Sequence, residues 1–249
     1  MDTAPLTDRD PSTWTPEEIR RINKPLIEAE RREYGPDPEP EADQPKHGFS
    51  SKWVMACLHE NEDGDARLYV ELHRGRFVYD TAAGVWDRWT GNYWKDDLLD
   101  EATEAVEKVI EVYSLEVERQ AWQRLQSEKS GQPERAKNHA SNEDALLKRI
   151  RVLQTLSRKK SIVELARTGK NSLAIDGTQF DRDGWLLGCL NGVLELRTGT
   201  FRPGRPEDFI KTVAPVLWLG PDTAAPVLER FLLEVFDGTG KWFPSFNGF

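Results

Sequence analysis

Between Trp185 and Pro203 the chain reads WLLGCLNGVLELRTGTFRP, and no other stretch limits its possible folds so tightly. Leu186, Leu187, Cys189 and Leu190 form an apolar run, Asn191-Gly192 supplies a pair that tolerates positive φ, and Val193, Leu194 and Leu196 resume the pattern. Arg197-Thr198-Gly199-Thr200 then makes a second tight turn into Phe201 and Arg202. The stretch predicts a compact β-meander with the leucines, Cys189 and Val193 buried.

A similar pattern lies upstream. Arg76 to Asp80 and Val85 to Trp89 flank Thr81 to Gly84, and Thr90-Gly91-Asn92 leads into Tyr93-Trp94-Lys95. Alternating aromatics bounded by Gly and Asn predict a three-stranded meander or small antiparallel sheet. Trp86, Trp89 and Trp94 admit two readings: they form the core of that sheet, or, beside Arg74, Arg76, Arg88 and Lys95, they stack unpaired bases.

The centre is helical. From Asp96-Asp97 the apolar positions Leu99, Ala102, Val106, Val109 and Tyr113 recur in steps of three and four, the stripe of a helix buried on one side. That helix is predicted to continue through Val117 and Trp122 to about Lys129, where Ser130-Gly131-Gln132-Pro133 breaks it. Ser141-Asn-Glu-Asp144 reads as the cap of a second helix with Leu146, Leu147, Ile150, Leu153 and Leu156 inward, and Ser161-Ile-Val-Glu164 as a capping box for a third ending near Gly169. Pro226 opens a final helix to Phe236, with Val227, Leu228, Phe231, Leu232 and Val235 on one face.

The first 48 residues read differently. Thr15-Pro16-Glu17-Glu18 signals a helix start, but Tyr34 to Gly48 carries Pro36, Pro38, Pro40 and Pro45 among acids and reads as an extended linker. From Phe49, residues Lys52 to Leu58 predict a short apolar helix or strand, and Asn61-Glu62-Asp63-Gly64-Asp65 a turn. That acidic turn is no EF-hand, because Leu72 stands where the twelfth-position Glu belongs.

The formal net charge is −9, which argues against indiscriminate coating of nucleic acid. The distribution is uneven. Residues 148–170 hold Lys148, Arg149, Arg151, Arg158, Lys159, Lys160, Arg167 and Lys170 against the single acid Glu164. Either this is a solvated helix face, or it contacts DNA phosphates, with Arg149, Arg158, Lys159, Lys160, Arg167 and Lys170 as the binding set. Two cysteines and four scattered histidines make no zinc pattern and no disulfide framework. No secretory leader and no long apolar run appears, so a cytoplasmic location without membrane contact is expected.

No nucleophile elbow, metal-spaced His-carboxylate pair or Cys-His arrangement marks an enzyme, and no catalytic residue, metal site or cofactor is assigned. Asp181 and Asp183 invite a two-metal reading, but a turn explains them. Two glycine-lysine pairs imitate a phosphate loop. Gly169-Lys170 has Glu164 at the required first glycine and its hydroxyl one place late at Ser172; Gly240-Lys241 has Val235 at that glycine and Trp242 where Ser or Thr must stand.

The order L-L-x-x-x-N-G-V-x-x-L-R-T-G, then Asp208-Phe209-Ile210 and Ala214-Pro215-Val216, then Ala225-Pro226 before Phe231-Leu232, resembles a known region. It is similar to the N-terminal, helicase-associated domain that precedes the ATPase in phage, plasmid and poxvirus primase-helicases of helicase superfamily 3. With the aromatic hairpin Phe77 to Trp94 the resemblance covers roughly residues 70–240. It implies a DNA-replication module acting on single-stranded or forked DNA, associating with helicase ATPase subunits or with itself in a ring. The family's ATP-dependent activity would reside in a C-terminal domain beyond this chain, whose Lys241 to Phe249 ending departs from the family and reads as an irregular tail. A protein-protein adaptor or truncated relic that does not bind DNA, docking through the 99–125 helix, is the alternative.

The expected architecture is α+β: a mainly helical centre, a hairpin or small bundle, flanked by small antiparallel hairpins or meanders. Residues 1–48 form an appendage and linker. Residues 49–240 form one domain, made of the aromatic hairpin at 70–95, helices at 96–169, and the meander and final helix at 175–237. Residues 241–249 form the tail.

Overall fold

The computed structural model describes residues 48–224 and 226–235, and the appendage and tail expected from the sequence lie outside them. The fold is α+β. Helices α1 (Ser51–His59) and α2 (Asn61–His73) lead into strands β1 (Phe77–Asp80), β2 (Val85–Trp89) and β3 (Trp94–Asp96). A helical insertion follows: α3 (Glu101–Glu104), α4 (Glu107–Lys129), α5 (Pro133–Leu153) and α6 (Leu156–Ala166). Then come β4 (Ala174–Ile175), β5 (Leu186–Cys189), β6 (Gly192–Glu195), β7 (Thr200–Arg202), β8 (Val213–Ala214) and α7 (Pro226–Val235).

Both predicted meanders form, and each gains a strand. One sheet has the order β3-β2-β1-β4 and the other β7-β6-β5-β8. In each, three antiparallel strands are extended by a two-residue strand running parallel to the first, through Tyr79↔Ala174 and Asp80↔Ile175 in one and Gly188↔Val213 and Cys189↔Ala214 in the other. The sheets are therefore mixed rather than purely antiparallel, built twice on one plan. Within the second, Cys189, Val193 and Leu194 are buried as expected, but Leu187 and Leu190 are each 40% exposed.

Lys52 to Leu58 is helical. The expected turn at Asn61 to Asp65 is not there; those residues open α2. The reason is tertiary. A Cβ on Gly64 would stand 1.8 Å from the Cys57 carbonyl oxygen, so glycine lets the start of α2 press against the end of α1. Asp65 beside it is fully buried and ion-paired, not solvated.

The helix expected from residue 96 breaks at Ala105 and Val106 into α3 and α4. Asp97 accepts the backbone N–H groups of Glu101 and Ala102 at 2.9 and 2.8 Å, so the acid caps the first piece. Ala102, Val106, Val109 and Tyr113 are buried as predicted, whereas Leu99 is 82% exposed. Gly131, with φ +66°, ends α4. Pro133 then opens α5 eight residues before the expected cap at Ser141. The polar cluster mistaken for a cap serves the helix pair instead: Gln120 Oε1 meets His139 Nδ1 at 2.8 Å and accepts from Asn142 at 3.2 Å. Ser161 likewise lies inside α6, with its hydroxyl donating to the Ser157 carbonyl at 3.1 Å. Leu146 and Leu153 point inward, while Leu147 and Leu156 do not.

The core is built from Val54, Leu68, Tyr69, Val106, Tyr113, Leu146 and Ile162 in the helical part, and it reaches the first sheet through Phe77 and Trp94. The backbone N–H of Trp94 donates to the Ile210 carbonyl at 2.7 Å, tying β3 to the segment entering β8.

Candidate nucleic-acid interface

Positive charge available to a polyanion depends on how deeply each cation is committed to carboxylates of the fold. Arg149 is not free. Its Nη1 reaches both Asp65 oxygens at 2.9 Å, and its Nη2 donates to the Asn61 side-chain oxygen at 2.9 Å and the Leu58 carbonyl at 3.2 Å. Arg158 donates to Asp65 at 2.8 Å and also pairs with Glu62. Tyr113 completes the cluster with its hydroxyl on Asp65 at 2.8 Å, and burial together with the Asp65 charge pushes that hydroxyl far above its ordinary pKa. Two arginines against Asp65 and Glu62 sum to zero charge, and the arginine side chains are only 13% and 12% exposed. This cluster fastens α2 to α5 and α6. Lys159 is similarly held, by Glu107.

Lys160 and Lys170 are exposed. Arg167, half-buried at the end of α6, pairs with Glu164 and lays its guanidinium 4.5 Å from the centre of the Tyr79 ring. Tyr79 in turn meets the edge of Trp86 at 5.3 Å, its cross-strand partner. The fold thus brings one predicted cation, Arg167, and one predicted stacking residue, Trp86, together through Tyr79, with both rings half-buried. Tyr79 was legible only in the alternation that puts residues 77 and 79 on one face of β1.

Trp94 follows the first of its two readings, as sheet core. It is 1% exposed, its indole N–H donates to the Pro206 carbonyl at 3.0 Å, and its ring stacks with Phe209 at 6.4 Å, so it is core and cannot receive a base. Trp89 packs 5.4 Å from it on the same face. That face also holds a charged group invisible in the sequence: Lys211 Nζ lies 2.7 Å from the buried Asp87 and 2.8 Å from Asp96. Burial raises the Asp87 carboxyl pKa, whereas the lysine's hydrogen bond lowers that of Asp96. Burial works against the Lys211 ammonium, but the two carboxylates outweigh it and hold its pKa above the ordinary value.

Asp181, read from sequence as a turn residue, accepts the backbone N–H of Lys211 at 2.9 Å and the Thr212 hydroxyl at 2.7 Å. Among the described residues no group of three or more His, Cys, Asp or Glu side chains is arranged to hold a metal.

Residues 66–237, more than half of the chain, match the family model described as D5 N terminal like. The chain belongs to the D5 N-terminal-like family, the N-terminal domain of primase-helicase proteins. It is a replication-related domain, and the described residues contain no ATPase part. No curated protein shows significant similarity to it. No helix among the described residues is long and apolar enough to cross a membrane.

Proposed function

We propose that this D5 N-terminal-like domain handles single-stranded DNA in the cytoplasm for an ATPase of helicase superfamily 3, and contacts the strand through the Arg167-Tyr79-Trp86 group and the neighbouring Lys160 and Lys170. The observation that carries this reading is Arg167 stacked on Tyr79 beside Trp86, a cation and two half-buried rings side by side, with only the exposed Glu164 as the arginine's counter-charge. Lysines neutralise phosphates without reading sequence, and rings accept any base face. Arg158 and Lys159 support the site by holding α6 against α2 and α4.

The test is fluorescence anisotropy of a labelled single-stranded oligonucleotide over a salt series. A triple variant Lys160→Ala/Arg167→Ala/Lys170→Ala is expected to weaken binding and flatten its salt dependence. Neutralising Arg158 instead would disrupt the Asp65 cluster and confound binding with folding.

A second reading, an adaptor for helicase subunits or for a second copy of the chain, rests on Trp122 and Leu125 of α4, which are 37% and 46% exposed. Under that reading the Lys160, Arg167 and Lys170 substitutions leave association untouched, and Trp122→Ala/Leu125→Ala abolishes it.

A further inference from the structure

We infer that the second sheet carries a separate stacking site for unpaired nucleobases, with Trp185 as its platform and Arg197 as its cation. Trp185 is 49% exposed at the start of β5, and the Arg197 guanidinium lies 4.8 Å from its ring centre. Strand alternation puts Leu187 on the same face, and the register Leu186↔Glu195 puts Leu196 there as well. These leucines are 40% and 47% exposed, so the ring stands on an open, weakly apolar surface.

The backbone that carries the indole is held in position at the sheet edge. The Trp185 backbone N–H donates to Asp183 Oδ1 at 3.0 Å, and its carbonyl accepts the Leu196 backbone N–H at 2.8 Å. Two acids lie nearby, and both are engaged within turns: Asp183 with the Trp185 N–H, and Glu195 with the Thr198 hydroxyl at 3.1 Å. Arg197 is exposed and able to meet phosphates. An exposed ring with a guanidinium on it suits a base and its backbone better than it suits an apolar protein face. The two sheets share one plan, and an arginine lies over an aromatic of each, Arg167 from the end of α6 on Tyr79 and Arg197 from the β6–β7 turn on Trp185.

This inference rests on the nucleic-acid reading above, and the experiment separates them. The full chain is irradiated with a single-stranded oligonucleotide carrying 5-iodouracil, and adducts are mapped by peptide mass spectrometry. Anisotropy is measured in parallel on Trp185→Ala/Arg197→Ala and Trp185→Phe. The expected result is an adduct on the peptide containing Trp185, affinity weakened about five-fold or more in the double variant, and recovery in the phenylalanine variant. Trp185 is a surface residue, so the variants are expected to unfold like wild type. Adducts confined to the Tyr79 and Trp86 region, with unchanged affinity in the double variant, overturn this site and leave the first standing. No binding at low salt overturns both.

Discussion

Arg149 holds Asp65 by both carboxylate oxygens, at 2.9 Å each, and Asp65 has no exposed surface at all. The pair joins a helix near the start of the domain to one 84 residues later, and Arg158 doubles it. Such a buried cluster stabilises little against an apolar replacement, but breaking one side of it is costly.

Asp65→Asn is therefore expected to lower stability by about 3 kcal/mol or more, because two arginines lose their counter-charge inside the fold. Urea denaturation followed by far-UV circular dichroism measures it. A loss under about 1 kcal/mol would mean that water, not Asp65, satisfies the arginines.

Gly64→Ala should be harmful, although alanine favours helices by about 1 kcal/mol elsewhere. The added methyl would sit 1.8 Å from the Cys57 carbonyl oxygen, so α1 and α2 must separate. A loss of more than about 2 kcal/mol in the same assay is expected, and a gain would show that the two helices do not pack so closely.

Much of this domain is legible in its sequence. The Gly and Asn positions announce both meanders, and the three-and-four spacing announces α4. What escaped is non-local. Ala174–Ile175 and Val213–Ala214 are too short to carry a strand pattern and exist only because β1 and β5 offer them a free edge. Asn61 to Asp65 reads as a solvated turn until Arg149 and Arg158 arrive from distant helices. The same pairing explains why the basic segment overstates its free charge: sequence counts cations but does not show their partners. Trp86 and Trp94, alike in the sequence pattern, part company because the 206–209 loop covers only Trp94.

His73 gives the fold a pH dependence. It is 1% exposed, its Nε2 lies 3.0 Å from the Ala105 carbonyl, and burial lowers its pKa from 6.5 to about 4. The unfolded chain then binds the proton more readily than the folded one. His73 thus favours folding fully above about pH 6.5, and this advantage is lost as pH falls toward 4, by roughly 3 kcal/mol. Comparing wild type with His73→Gln at each pH isolates this effect from the titrating carboxylates. Parallel stability curves would contradict it.

Lys211→Met should leave the buried Asp87 facing Asp96 without a cation. Stability is expected to drop at pH 7 by about 2 kcal/mol or more and to recover partly as acid protonates Asp87, the carboxyl whose pKa burial already raises. Adding Asp87→Asn to the variant should restore part of the loss at neutral pH. A double variant no better than Lys211→Met would show that the two groups are not coupled.

The domain's proposed role stands or falls on contact with single-stranded DNA at Arg167, Tyr79 and Trp86. The most direct measurement is anisotropy of a labelled oligonucleotide with wild type, Lys160→Ala/Arg167→Ala/Lys170→Ala and Trp86→Ala, from low to physiological salt. The account predicts wild-type binding that weakens with salt, a log-log slope about 2 units shallower in the triple variant, and a several-fold loss in Trp86→Ala with the salt slope unchanged. Equal binding by all three proteins, or no binding by wild type at low salt, would contradict it.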